Sequence, residues 1–498
     1  MLNTLPEIYQ THAWIRPMTV AFLPQAMTPA LKLATDAVIN WLRDNGSTVQ
    51  DTPDNATELL MTTGLFGQKV DRNDALMFHA KRRYPMMHRP PLITFVDVSE
   101  DDYQKWLKHF AELALLPPET VQTIDVAAYP GLGPEGLEVL ALQARRGGPE
   151  VALGRFLQTQ LISLRVLALR TSHDRPHKVV NFDLAGAHPT LQAENLDTLG
   201  RELGLRLLAA TCAREAENHK YLTDRFPKKQ WDLLSTPDAM IQAGQTFAAY
   251  GFFTVPIQVK KLFGYRGLSN ALSSQYSEGC YGIFDPDIPG LITTATGSAK
   301  LVDKRSITRY DQAIVVGIKP ERDGAVVLPL EGNEDLCPSI EAMEMMGICK
   351  AAGTHSRLNS RGETVEVSNV RCILHGHLGI ADYDPAFVES VRLDAPYYQQ
   401  LVSCGTDALA NGTCAAFSRS ASLQDPMDPR LVIFLEQPGH GIMVIEKWDP
   451  QSPGKAPFET LRAYLEAGHI KVTMDVPQSE IKWIETHQAG TPRMEKAF

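Results

Sequence analysis

Two histidines separated by one residue, His375 and His377, stand in an apolar run typical of a β-strand. Side chains at positions i and i+2 of a strand point to the same face, so both imidazoles could bind one metal ion. A third histidine, His440, lies in a glycine-rich turn between two strand-like runs, and Glu446 follows in the second run. The spacing predicts a site for a divalent transition metal, Zn²⁺, Mn²⁺ or Fe²⁺, with a position open for water or substrate. The alternative is that these histidines are structural, bonded to backbone carbonyls or placed in a turn.

A carboxylate and a thiol, Glu278 and Cys280, lie two residues apart among small residues and tyrosines. Such a pair permits a carboxylate acid/base beside a nucleophilic or metal-binding thiolate. Lys300 follows a stretch of threonines and glycine, where its charge and nearby backbone N–H groups could hold a carboxylate or a phosphate. We therefore predict Glu278, Cys280 and Lys300 as catalytic residues acting on an anionic or polyhydroxylated small molecule. The alternatives are a buried structural cysteine and a plain polar loop.

Two further glutamates, Glu341 and Glu344, follow the helix-start signals Pro338 and Ser339. At spacing i, i+3 they share one face of the predicted helix, where they could join a metal site. The favoured interpretation is that their negative charge stabilises the positive end of the helix.

The segment Gly131–Gly136 reads Gly-Leu-Gly-Pro-Glu-Gly, a match to the dinucleotide-binding pattern. It stands between a strand-like run at 121–127 and a helical run, which is the context that the pattern requires. Pro134 weighs against it, because proline lacks an N–H for the phosphate. The match gives an alternative function, a nucleotide-dependent enzyme, with the basic cluster at 79–89 as a second anion contact.

The composition is that of a folded protein. The chain has 498 residues, of which 44% are hydrophobic and 21% charged, so collagen-like, low-complexity and wholly disordered classes are excluded. Lys and Arg total 48 against 58 Asp and Glu, a net charge of −10. An acidic balance disfavours phosphate neutralisation, so we expect no nucleic-acid partner.

Targeting signals and cysteine usage indicate the compartment. No basic segment followed by an apolar one opens the chain, and the longest uncharged stretch, 239–259, contains Gln, Gly and Pro. This pattern predicts no membrane span. Seven cysteines without a CxxC pair argue against a disulfide framework. We therefore expect a cytoplasmic protein.

Alternating strand-like and helix-like runs at the N-terminus predict βαβ units in a doubly wound α/β fold. Leu116-Pro117-Pro118 ends a helical run and marks a boundary. The predicted division is an α/β Rossmann-like domain at 1–118, a second α/β, helix-rich unit at 119–245, and a β-rich C-terminal domain at 246–498. The last domain carries all the predicted catalytic and metal-binding residues.

These patterns support one leading hypothesis, a metal-assisted isomerase, lyase or hydrolase acting on a polar small molecule. Besides the nucleotide-dependent alternative, a third hypothesis is a non-catalytic binding or assembly protein that forms a homo-oligomer. The hypotheses differ on whether segments 276–300, 375–377 and 440–446 meet in space.

Overall fold

The computed structural model describes most of the chain. The described residues are 16–68, 74–75, 91–132, 136–163, 165–183, 186–187, 191–192, 195–212, 219–253, 279–295, 304–322, 324–376, 378–394, 407–425, 427–437 and 441–473. None of the described helices is both long enough and apolar enough to cross a membrane.

The first part of the chain forms one sheet with helices on both faces. Its elements are β1 (Thr19–Pro24), α1 (Pro29–Asp44), β2 (Thr48–Gln50), β3 (Leu59–Leu65), β4 (Leu92–Ser99), α2 (Glu100–Leu115), α3 (Pro118–Val121), α4 (Gly136–Gly147), α5 (Pro149–Leu161), β5 (Val166–Ser172), β6 (Arg175–Asp183), β7 (Gly186–Ala187), β8 (Leu191–Gln192) and α6 (Leu196–Cys212). The strand order is β2-β1-β3-β4-β5-β6-β7, with β8 also on β6. Strands β1 to β5 run parallel to one another, and β6 runs antiparallel to β5.

Capping residues set where the helices of this sheet begin. The Thr28 hydroxyl accepts the Leu31 N–H at 3.1 Å, and Pro29 opens α1. Ser99 caps α2 in the same way and is followed by three acidic residues in the first turn. One core lies between the sheet and α1 with α6, and another between the sheet and α2, α4 and α5. The predicted doubly wound α/β fold is confirmed.

The predicted boundary at residue 118 lies within the connection between two strands of this sheet. Pro118 begins α3, and the chain then returns through α4 and α5 to β5, which pairs in parallel with β4. The run at 121–127, predicted as a strand, instead forms the end of α3 and a 3₁₀ turn, Val126–Ala128. Short helical turns therefore stand where the dinucleotide pattern needs a strand.

The second part of the chain, from residue 219, forms a larger sheet. Its elements are β9 (Lys220–Tyr221), α7 (Lys228–Leu233), α8 (Thr236–Ala249), β10 (Cys280–Phe284), β11 (Leu291–Thr294), β12 (Gln312–Ile318), β13 (Ala325–Leu328), α9 (Ala342–Ala351), β14 (Thr354–Leu358), β15 (Thr364–Ser368), β16 (Val370–Gly376), β17 (Gly379–Tyr383), β18 (Val388–Arg392), α10 (Asp407–Ser418), α11 (Ala421–Gln424), β19 (Val432–Gln437), β20 (Gly441–Lys447), α12 (Glu459–Ala467) and β21 (Ile470–Thr473). The strand order is β18-β19-β20-β16-β10-β11-β12-β13-β9, and β14–β15 and β17–β21 form separate two-stranded sheets.

This sheet confirms the β-rich C-terminal region, and it is mostly antiparallel. Helices α9 and α10 cover one face, with Met345, Ile348 and Phe417 in the core. Helices α8 and α12 cover the other face, with Phe247 and Leu461 in the core. The strands are therefore buried on both sides, which explains their short, continuous apolar runs.

Helices α1 and α6 pack closely because two glycines of α6 face α1. A Cβ atom at Gly200 would lie 2.5 Å from the backbone oxygen of Ala37, and one at Gly204 would lie 2.2 Å from the Trp41 ring. The four-residue spacing places both glycines on one helix face. The absence of two side chains thus sets the distance between the helices.

Replacing Gly200 with Ala should lower the free energy of unfolding by about 1–3 kcal/mol, because the added methyl forces the two backbones apart. Chemical denaturation measures the change. Gly454→Ala is the control, since a Cβ there has no atom within 4 Å, and it should stay within about 0.5 kcal/mol of the parent. Equal stability of the two variants would contradict the packing argument.

Candidate functional site

Four adjacent strands of the second sheet, β19, β20, β16 and β10, each begin or end at the same edge of the sheet. The register pairs Cys280 with His375, His375 with Met443, and Met443 with Leu435. Strand β10 begins at this edge, β16 ends there, and β20 begins there. Because paired strands lie about 5 Å apart, Cys280 and His375 are immediate neighbours. Two predicted site residues from different chain segments, Cys280 and His375, are therefore brought together here.

Glu446 lies away from this edge, contrary to its predicted role beside His375. It pairs with Cys372, three residues from His375 along the sheet. An odd spacing on a strand places the side chains on opposite faces, and the Glu446 Oε2 atom accepts the Leu461 N–H of α12 at 2.8 Å. The structure does not bring Glu446 and His375 together, so we withdraw Glu446 from the predicted metal site.

Four other predicted residues, Glu278, Lys300, His377 and His440, lie outside the described residues, as does the basic cluster at 79–89. Within the described part of the chain, no group of three or more His, Cys, Asp or Glu side chains could hold a metal ion. The metal site therefore stays a prediction.

His375 is fully buried, and its ring is held by the backbone of the next strand. The Nδ1 atom lies 3.0 Å from the Ile442 carbonyl oxygen. A carbonyl only accepts, so Nδ1 carries the proton, and in the neutral ring Nε2 keeps its lone pair. The same bond orients histidines that bind metals and histidines with a purely structural role.

Glu341 and Glu344 are buried at the start of α9, on the same face of the sheet as Cys280. Glu341 is the N-cap residue, and Glu344 lies in the first turn, which fits the predicted charge–dipole interaction. The Glu341 Oε2 atom accepts the Ser339 hydroxyl at 2.6 Å and the Cys280 thiol at 3.4 Å. The pair therefore also contacts the strand edge.

The Cys280 thiol is a hydrogen-bond donor in this arrangement. Burial raises its pKa well above the ordinary value, and the charge of Glu341 raises it further. The charge of the buried Lys304 acts in the opposite sense but does not reverse the shift. A protonated thiol is a poor nucleophile, so the geometry does not favour the predicted thiolate role.

Glu344 is 1% exposed, and burial raises its pKa to about 7. Its neighbour Glu341 raises the pKa as well, whereas hydrogen bonds from Thr413 and Gln437 lower it. The Gln437 Nε2 atom donates to Glu344 Oε1 at 2.6 Å and to Thr413 Oγ1 at 3.2 Å. Helix α9, helix α10 and the end of β19 thus all contribute to one polar cluster.

Two acceptor atoms in this cluster have no donor within the described part of the chain. Glu344 Oε2 and Gln437 Oε1 are buried, and neither has a hydrogen-bond partner among the described residues. Leaving such a group unsatisfied costs about 1–3 kcal/mol. A hydroxyl, an ammonium group or a cation would remove that cost.

Sequence reasoning noted part of this cluster. Glu341 and Glu344 have the spacing of one helix face, but nothing in the sequence shows that α9 begins against the sheet edge. Gln437 carries no signal of its own, and Lys304 was not identified, since Lys300 has the more suggestive glycine-rich context.

Comparisons with protein-family models, curated proteins and solved structures gave no match.

The raised pKa of Glu344 predicts a pH-dependent stability. The folded chain retains a proton that the unfolded chain releases above its ordinary pKa of 4.5. The free energy of unfolding should therefore fall between pH 4.5 and 7 by up to about 3 kcal/mol from this group. Glu344→Gln should lose that part of the pH dependence.

Denaturation of both proteins between pH 5 and 8 measures the difference. Glu321→Gln, at an exposed position, is the matched control and should follow the parent curve. Parallel curves for the parent and Glu344→Gln would show that this carboxyl is not perturbed.

Proposed function

We propose that the chain is an enzyme that transfers protons on a hydroxylated small molecule at the edge of the second sheet. The observation that carries the proposal is the pair of buried acceptors, Glu344 Oε2 and Gln437 Oε1, without donors among the described residues. Buried acceptors in native proteins are nearly always satisfied, so their arrangement favours a ligand that supplies donors.

Glu344 is the proposed acid/base. A general acid or base works best when its pKa is close to the working pH, and burial raises the pKa of this carboxyl to about 7. Perturbed carboxyls of this kind are enriched at catalytic sites. Glu341 and Gln437 are positioning residues in the proposal, because one raises the pKa of Glu344 and the other holds its Oε1 atom.

The charge of the cluster narrows the substrate class predicted from the sequence. Two neighbouring glutamates would repel a carboxylate or a phosphate, whereas sugar-like hydroxyls donate to the acceptors present. A polyhydroxylated substrate is therefore favoured over an anionic one. Isomerisation, elimination and hydrolysis all proceed by proton transfers of the kind that Glu344 could make.

A metal ion is a separate part of the proposal. His375, with His377 and His440, would hold a divalent ion, which would act as a Lewis acid on a substrate oxygen. The Nδ1 bond of His375 to Ile442 is compatible with this role, because the neutral ring then carries its lone pair on Nε2.

Proton transfer is tested with a panel of aldoses, ketoses and polyols in D₂O, followed by NMR for C–H exchange and for new products. We expect at least one compound to react, and Glu344→Gln to lower its rate by about 10²–10⁴-fold, the usual contribution of a general acid or base. Glu321→Gln should react at the parent rate. No reaction with any compound, or an unchanged rate in Glu344→Gln, would contradict the proposal.

Elemental analysis of full-length protein, purified without chelator or histidine tag, tests the metal. We expect about one transition-metal ion per chain, lost in the His375→Ala/His377→Ala double variant while the circular dichroism spectrum is retained. The expectation of about one ion follows from a single three-ligand site. Absence of metal from both proteins would leave the carboxyl cluster as the whole of the proposed site.

A further inference from the structure

Two arginines stack against one tryptophan near the start of strand β16, at the end away from His375. The guanidinium carbon of Arg357, on β14, lies 3.9 Å from the centre of the Trp448 ring, and that of Arg371, at the start of β16, lies 4.6 Å from it. Five residues separate Arg371 from Gly376, so this cluster is about 16 Å from the edge that carries His375. It shares no residue with the proposed active site.

Each of these arginines is bonded to a backbone oxygen rather than to a carboxylate. Arg357 Nη2 donates to the Pro453 oxygen at 2.9 Å, and Arg371 Nη2 donates to the Lys455 oxygen. Neither guanidinium has a carboxylate oxygen within 4.0 Å in the described part of the chain. The Arg371 Nε atom is buried and lacks a hydrogen-bond partner among the described residues.

The charges around Trp448 leave this cluster positive. Arg371 is only 7% exposed. The partial burial of Arg357 and the charge of Arg371 both lower the pKa of Arg357. Lys455 is paired with Asp449 at 3.8 Å. Glu446 interacts electrostatically with Arg371; its Oε2 atom accepts the Leu461 N–H, and its buried Oε1 atom has no hydrogen-bond partner among the described residues. Two like charges therefore contact one ring, and no carboxylate of the described residues is bonded to either.

Buried charges in proteins are normally paired, because an isolated one loses much of its hydration. We propose that Arg357 and Arg371 form a binding site for a small oxyanion, a carboxylate or a phosphate group. The guanidinium N–H groups that the backbone leaves unused have the planar geometry that such anions accept. A bound anion would link hairpin β14–β15, through Arg357, to strand β16, through Arg371, and so stabilise the hairpin.

Thermal unfolding of the full chain, titrated with sodium phosphate or with sodium acetate, tests the site. Sodium chloride keeps the ionic strength constant, so that general screening is the same at every point. We expect a saturable rise in Tm with at least one of the two anions, and its identity distinguishes a phosphate site from a carboxylate site. No saturable rise with either anion would overturn the proposal.

Arginine variants test whether the anion binds at Arg357 and Arg371. Arg357→Gln should need at least tenfold more anion for the same rise in Tm, and Arg371→Gln should lose the saturable rise. Arg361→Gln is the control, since this arginine lies on the same hairpin and pairs with Glu363 at 2.9 Å, and it should respond like the parent. If Arg371→Gln does not fold, Arg357→Gln decides, and an unchanged anion midpoint in it would refute the assignment.

Discussion

Backbone hydrogen bonds between β10, β16, β20 and β19 fix which residues share a row of the second sheet, and the site depends on that register. The pairing sets Cys280 beside His375 and brings Gln437 to the end of β19. A shift of one residue would turn each of these side chains to the opposite face. The apolar residues of both faces oppose such a shift, because α9 and α10 cover one side and α8 and α12 the other. Packing energy thereby determines where the polar groups lie.

The polar cluster at the start of α9 works against stability. Glu341 and Glu344 are two carboxyls in a buried setting, and the raised pKa of Glu344 records the cost of ionising it there. Two of the acceptors in the cluster add the cost of unmade hydrogen bonds. A core designed only for stability would place apolar side chains at these positions. Binding of a donor-rich ligand, as proposed here, would recover part of this free energy.

The sequence predicted which layers the fold contains better than which strands and residues are neighbours within a layer. Apolar runs identified β16, β19 and β20, because buried strands are continuous in hydrophobicity. The unit boundary at residue 118 depended on a proline pair, and nothing local shows that β5 returns to pair with β4. Glu446 was grouped with His375 for a related reason. It follows His440 along the chain, and nothing local shows that the pairing of Cys372 with Glu446 places Glu446 and His375 on opposite faces.

The two clusters at the ends of β16 differ in the sign of the charge they leave uncompensated. Among the described residues, the buried atoms without a hydrogen-bond partner include acceptors on Glu344 and Gln437 at one end, and the Arg371 Nε donor together with the Glu446 Oε1 acceptor at the other. An anion that suits the arginines would be repelled by the carboxyls at the other end, and a cation that suits the carboxyls would be repelled by the arginines. About 16 Å of packed strand separates them, too far for one small molecule to contact both. Any coupling between the two would therefore pass through β16 and its partner β20, which run through both clusters.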